Sequence, residues 1–424
     1  MVEMVNENEL VDLFLNEHKA LSDSILNDYK SITEFAWEQF SKSSLDLNRA
    51  ESWRYFPFSK LLNSLKDYAN YEAPTKIVEV GEEDSEVANN SIKIVSGCLD
   101  KINQLNDNIE VTQTRYADKN LVNFFDHFFK HEQESAKNPL VFLNGSLSTS
   151  AILINVKPSE EKIPTLKINL LSNEPGVSWP MIGFNILEKA SLNVEIHVNS
   201  EDDKSLLIGN FFAKIKTQGE LNIDIIQCDN HSNGIIFQNR FVVENAAHLK
   251  LNGFCRGGQF NRFDTEILMT NENSNVDVNF LSLTKGNSQQ HHFINMSHDA
   301  PNCNSSQLFR NLLFDKSNVS VDGTVLVQKG ASQTFSEQLI NNLFFSEEAK
   351  ASTKPNLQIL NDDVKCNHGV TFGQLEEESL FYLKSRGLPE ELAIDLLTKS
   401  FASEVIEKFH SEEMKTEIKK LLEL

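Results

Sequence analysis

The stretch NDDVKCNHGVTFG, residues 361–373, sets Cys366 and His368 one residue apart, behind Asp362 and Asp363 and beside Gly369 and Gly373. Thiolate and imidazole both ligate zinc and iron, yet two ligands do not hold a metal alone. The pair offers at most half of a metal site. On an extended segment, residues two apart project from one face, so Cys366 and His368 belong together. By the same period Asp362 shares their face and Asp363 lies opposite. Asp362 is thus the expected acceptor for the second ring nitrogen of His368, with Asp363 replacing it if a bulge near Gly369 reverses the alternation. On spacing alone, a buried thiol beside an aspartate-satisfied histidine is the plainer interpretation.

A second group of ligand-type side chains lies in HHFINMSHDAPNC, which holds His291, His292, His298 and Cys303. His291 and His292 point to opposite faces if the run is a strand, which disfavours shared ligation. Polar positions in turns are the expectation for this group. No GxxxxGK[ST] phosphate loop, GxGxxG turn or GxSxG elbow is present, so nucleotide hydrolysis and elbow-type acyl transfer have no sequence support.

These residues must be positioned by a chain of 424 residues, long enough for two or three domains. With 39 basic against 61 acidic residues, net charge −22, it repels nucleic acid at long range. No apolar run approaches a membrane span, and MVEMVNENELVDLFL lacks the layout of a secretory signal. The five cysteines (Cys98, Cys228, Cys255, Cys303, Cys366) are dispersed and odd in number. That pattern suits a reducing compartment, and the expected location is cytoplasmic.

Three regions are expected. Residues 1–138 read as mostly helical, from Leu10, Leu13, Phe14, Glu17, His18, Leu21, Ile25 and Leu26 at near 3.6 spacing. ESWRYFPFSKLL then gathers Trp53, Tyr55, Phe56 and Phe58 into an aromatic anchor between this arm and the next domain. Over 139–373 a small residue followed by alternating apolar positions recurs: ASLNVEI at 190, GELNIDI at 219, AHLKLNG at 247, SNVDVNF at 274 and SNVSVDG at 317. The steps are 29, 28, 27 and then 43 residues. A step near 28 with strands in each unit predicts a parallel β-helix with two or three strands per coil. Further strands, RFVVEN (240–245), EILMTN (266–271), NLLFDK (311–316) and NLFFSE (342–347), precede most of these starts. A β-sandwich competes, although hairpins turn at shorter spacing.

Helical period returns over 374–424. Leu380, Phe381 and Leu383 lead to Arg386 with Gly387 at C′, Pro389 opens a second helix, and Ser411 caps a third. So short a region cannot bury its own apolar faces, so they want the solenoid or another protein.

NDDVKCNHGVTFGQLEEESLFYLKSRGL (361–388) resembles the C-terminal signature of the SufD family of iron–sulfur cluster assembly proteins. Residues 307–360 resemble that family's last β-helix coils, and ESWRYF (51–56) its E-x-W-[RK]-Y-T motif, with Phe56 where threonine is usual. The related SufB is usually longer and carries a CxxCxxxC motif that this chain lacks. The resemblance implies a right-handed parallel β-helix flanked by helices, and a non-catalytic scaffold subunit. It implies pairing with SufB through the β-helices, and docking of the SufC ATPase on the C-terminal helices, with Leu380, Phe381, Tyr382 and Phe401 as candidates for packing or docking. Sulfur then comes indirectly from a cysteine desulfurase system. A transient iron–sulfur cluster shared with SufB, none bound stably by the isolated chain, would meet His368, with Cys366 left open between ligand and structural thiol. Pairing with a second copy when isolated is also left open. The competing function is a β-helix enzyme or binding module acting on polysaccharide, which needs clustered carboxylates along a groove.

Overall fold

The computed structural model describes residues 7–24, 27–43, 51–68, 90–114, 119–134, 138–159, 163–229 and 234–422. Ile25 and Leu26 of the expected first helix lie outside them. Helices α1 (Glu7–Ser24), α2 (Asn27–Lys42) and α3 (Phe58–Tyr68) come first. Next are β1 (Ser91–Val95), β2 (Cys98–Ile102), β3 (Ile109–Gln113), α4 (Lys119–Glu134) and α5 (Pro139–Leu147). Four strands of uneven length follow: β4 (Ile152–Val156), β5 (Thr165–Ser172), β6 (Gly176–Ser178) and β7 (Met181–Ile186).

The regular part begins with β8 (Ser191–Ser200), β9 (Ser205–Ile215), β10 (Glu220–Asp229) and β11 (Gly234–Val243). It continues through β12 (His248–Gly257), β13 (Phe260–Met269), β14 (Asn275–Thr284), β15 (Gln289–His298) and β16 (Asn304–Leu313). It ends with β17 (Asn318–Val327), β18 (Thr334–Phe344), β19 (Lys350–Ile359) and β20 (Val364–Gly373). Helices α6 (Glu377–Ser385), α7 (Glu390–Ile406) and α8 (Glu412–Leu421) close the described chain.

From β8 onward the strands alternate between two sheets, two strands per coil, each pairing in parallel with its equivalent one coil away. Ser191 pairs with Glu220 and Glu220 with His248, so the repeat read from sequence is the coil itself. The longer last step also resolves. SNVSVDG lies on β17 in the second sheet, whereas the four earlier starts lie on β8, β10, β12 and β14 in the first. The step is one coil and a half. The recurring small residue is a corner. Ala190, Ala247, Ser274 and Cys303 are fully buried, each following a residue with positive φ: Lys189, Ala246, Asn273 and Asn302. The N–H of Ala190 and Ala247 closes the turn onto the carbonyl of Leu187 and Glu244. A larger side chain there would enter the angle where the two sheets meet.

The expected boundary at 139 is crossed from both sides. The stretch before 139 contains strands, and β1 already pairs in parallel with β5, Ser91 opposite Lys167. The run SIKIV alternates and so folds as a strand, while the helical period belongs to α1, α2 and α3. Conversely α5 lies inside the range expected to be solenoid. Its residues PLVFLNGSL are all buried, as a helix apolar on every side must be.

The inner faces of the sheets form one core, including Val194, Ile223, Leu251, Val278 and Phe309. The outer face of the second sheet is covered by the N-terminal helices through Phe14, Tyr29, Phe125 and Phe129 against Phe212 and Phe260. The outer face of the first is covered by α7 and α8, with Val405, Ile406, Met414 and Ile418 against Phe254, Leu281, Leu308 and Leu312. Among the described residues no helix is long and apolar enough to cross a membrane.

Candidate functional site

Cys366 and His368 lie on β20, the last strand of the first sheet, paired only with β18. Their side of β20 is the inner one: Val364, Cys366 and Val370 pack against the solenoid core. No further coil covers them, so Cys366 is half-buried and His368 exposed. Burial pushes the Cys366 thiol up, partly offset by a backbone hydrogen bond from Ser336. The two side chains share a face, as their spacing predicts.

The aspartates do not join them. Strand pairing begins at Val364, and Asn361 instead makes a turn, its side chain accepting from the Asp363 N–H at 2.9 Å and donating to the Lys329 carbonyl at 2.6 Å. The period-two argument therefore stops before Asp362. Both carboxylates are exposed, and neither is hydrogen-bonded to His368 among the described residues. Short Asx-turn chemistry outcompeted the strand there.

His291, His292 and His298 lie within β15 and are buried, which corrects the expectation of polar turn positions. His291 faces outward, bonded to the Ser320 hydroxyl at 2.6 Å and edge-on to Phe56 at 5.1 Å. His292 faces inward among Phe263, Phe280 and Phe309. His298 bonds the Ser305 hydroxyl at 2.9 Å. Burial holds His292 down to about 3 and His298 to about 4, so both imidazoles stay neutral. Cys303 occupies a corner and receives the Ser274 hydroxyl at 3.1 Å. Among the described residues no three His, Cys, Asp or Glu side chains converge in a way that would hold a metal.

The C-terminal candidates divide. Phe401 is half-buried under Arg310, whose guanidinium stands 5.2 Å from the ring centroid, and it packs with the α7–α8 cluster. Leu380 is also half-buried. Phe381 and Tyr382 are 73% and 56% exposed, and Leu392 and Leu396 on the first half of α7 are exposed as well. Gly387 takes a positive φ and Ser411 caps α8, as the sequence suggests.

The sequence did not reveal a buried charge network behind the aromatic anchor. Arg240 donates to Glu132 of α4 at 2.6 Å and to Asp264 at 3.0 Å, and Arg262 reaches Asp264 at 2.7 Å. Arg262 also stands 4.0 Å over Trp53. Burial alone would raise Asp264, but the two guanidiniums hold it low. Glu132 and Arg240 are 108 positions apart and Arg240 and Asp264 are 24 apart, so only the assembled fold brings these charges together.

A family model described as SUF system FeS cluster assembly, SufBD core domain, matches residues 171–401, more than half of the chain. The chain is 23% identical over 396 residues to the iron–sulfur cluster assembly protein SufD of Escherichia coli K12, covering 90% of this chain and 89% of that one. A SufBD family protein of Synechocystis is 38% identical over 144 residues, 33% of this chain and 31% of its own. SufD of Plasmodium falciparum is 22% identical over 263 residues, 61% of this chain and 18% of its own.

Proposed function

The chain belongs to the SufBD family of SUF-system iron–sulfur cluster assembly proteins, and on that premise we propose that it is a scaffold subunit with no reaction of its own. It pairs with SufB through the last coil and presents His368, with Cys366 beneath it, to a nascent cluster that SufB also holds. The cluster is cargo, built at the boundary and passed on. Sulfur arrives from a cysteine desulfurase by way of the partner, and assembly takes place in the cytoplasm.

One observation carries this reading. The last coil leaves inner-face residues uncovered, with an imidazole at its mouth and apolar side chains exposed toward the ends of its strands: Ile359, Leu360 and Phe372 are 41–56% exposed. A row of unpaired strand edge beside uncovered apolar surface is the layout that a second chain completes. Neutral imidazole and thiolate both suit iron. The family match favours cluster assembly over action on polysaccharide.

SufC is assigned to α6 and the first half of α7, where Phe381, Tyr382, Leu392 and Leu396 have no cover. Deleting 375–424 would be a poor test, because it also strips Leu281, Leu308 and Leu312 of their packing. The experiment is co-expression with SufB and SufC, anaerobic purification, and iron and sulfide analysis of wild type, His368→Ala and Cys366→Ala. The expected result is an intact complex with reduced cluster in His368→Ala. Wild-type cluster content in that variant overturns the half-site.

A further inference from the structure

Gln338 on β18 is the inner-face neighbour of His368, and Gln307 on β16 is the neighbour of Gln338. Both glutamines are buried, at 1% and 3% exposure, in a core otherwise built largely of aliphatic and aromatic side chains. The Gln338 side-chain nitrogen donates back to Gln307 Oε1 at 3.3 Å and to the Gly323 carbonyl at 3.2 Å. Gly323 makes this possible. A Cβ there would stand 3.0 Å from Gln338 Nε2 and 3.1 Å from Gln307 Oε1.

A planar amide carries its oxygen and nitrogen on opposite sides of one carbon. Pinning the nitrogen toward the preceding coil therefore turns the oxygen toward the following one, where His368 sits. That Gln338 Oε1 is fully buried and has no hydrogen-bond partner. A buried acceptor left unpaired is costly, and such an atom asks for an explanation. A metal-ligating imidazole, for its part, uses its second nitrogen to donate to an acceptor that fixes ring and tautomer.

We infer that Gln338 is the positioning residue for His368. No hydrogen bond joins the two in this structure; a turn of the exposed His368 ring about its side-chain torsions brings its N–H to Gln338 Oε1, which selects one tautomer and turns the other nitrogen outward to the cluster. The role that spacing assigned to Asp362 thus passes to a residue a whole coil away in sequence and adjacent in space. The acceptor is a neutral amide, so it orients the ring without placing a buried charge beside it. Gln307 and Gly323 in turn hold the Gln338 amide in place. This inference rests on the half-site reading above, and the test separates the two.

In the isolated chain, ¹⁵N chemical shifts of labelled histidine, with His368 assigned by loss of signal in His368→Ala, should report one dominant tautomer. Gln338→Leu should give a mixture, and Gln338→Glu, which keeps an acceptor, should restore a single form. In the complex with SufB and SufC, Gln338→Leu should lower iron and sulfide content ~10-fold, at the low end for loss of such a ligand-orienting group. Gln338→Glu should retain most of it. The double variant Gln338→Leu/His368→Ala should be no worse than His368→Ala, because Gln338 acts only through that ring. An unchanged tautomer in Gln338→Leu overturns the inference. So does a double variant that loses more than His368→Ala, or a Gln338→Glu complex as depleted as Gln338→Leu. If His368→Ala keeps wild-type cluster, the half-site reading fails instead, while the tautomer measurement still decides the role of Gln338.

Discussion

The two ends of the solenoid are finished in opposite ways. At the N-terminal end each sheet stops on an antiparallel strand, β2 against β1 and β3 against β4, and the inner residues Ile92, Ile152 and Ile154 are fully buried. The buried helix α5 and the aromatic helices pack on the outer face of the second sheet, against residues such as Met181, Leu206, Ile208 and Phe212. At the C-terminal end β19 and β20 are ordinary parallel strands, and their inner residues Ala351, Leu357, Val364, Cys366 and Val370 are only half-buried. The interior changes in step. Early coils are lined by Leu192, Val194, Leu221 and Ile223, later ones also by His292, His298, Ser305, Gln307, Ser336 and Gln338. A capped end spends its side chains on packing. The end left open carries polar groups inside, several of them bonded to one another, as His298 is to Ser305 and Ser305 to Ser336.

Four measurements test that contrast. The largest expected effect is Phe212→Ala. This ring is fully buried and stacks on Phe128 at 5.0 Å, so its loss should cost ~3–5 kcal/mol in denaturant unfolding. A loss below ~1 kcal/mol would mean that the N-terminal helices are not packed on the second sheet as described.

Asp224→Ala comes next. This fully buried carboxylate accepts from the N–H of His410 at 2.8 Å and from that of Ser411 at 3.2 Å, and from Asn252 at 2.8 Å. It thereby holds the start of α8 on the first sheet. Removing it leaves buried donors unpaired, at ~1–3 kcal/mol. Hydrogen exchange should speed up in α7 and α8 before it does in the solenoid.

A pH experiment bears on the polar interior. In the folded chain His298 titrates at about 4, against 6.5 when unfolded. Between those values the unfolded state binds more protons, so this contribution to stability is complete above the unfolded value and falls as pH drops toward the folded one. The slope is ~1.4 kcal/mol per pH unit. His298→Gln should flatten that part of the profile; an unaltered slope assigns acid lability to other groups.

The smallest effects belong to the open surfaces. Phe372→Ala and Phe381→Ser each alter an exposed ring and should change stability by less than ~0.5 kcal/mol. Phe381→Ser should nonetheless weaken SufC capture, and Phe372→Ala capture of SufB. A large stability loss in either would show that the ring is packed rather than presented.

Much of this was legible in the chain. The recurring step was the coil, and Cys366 and His368 faced together because a strand alternates. The aromatic anchor also lies where ESWRYF suggested, with Trp53 under Arg262 and Phe56 against Phe260. The strand's start was less legible, because the Asn361 turn competes with strand pairing over just the residues that decide which aspartate faces inward.

Local spacing was enough to settle the repeat, the helix caps at Gly387 and Ser411, and the shared face of Cys366 and His368, because each depends on residues a few positions apart. Which coil is last, which C-terminal apolar residues are covered, and which side chain stands beside His368 follow only from the assembled fold. Neighbours across a parallel sheet are separated by a whole coil, and the coils differ in length. Phe260 follows its partner Gly234 by fewer positions than Lys350 follows Asn318. A pairing such as Gln338 with His368 therefore exists only once every corner before it has been placed.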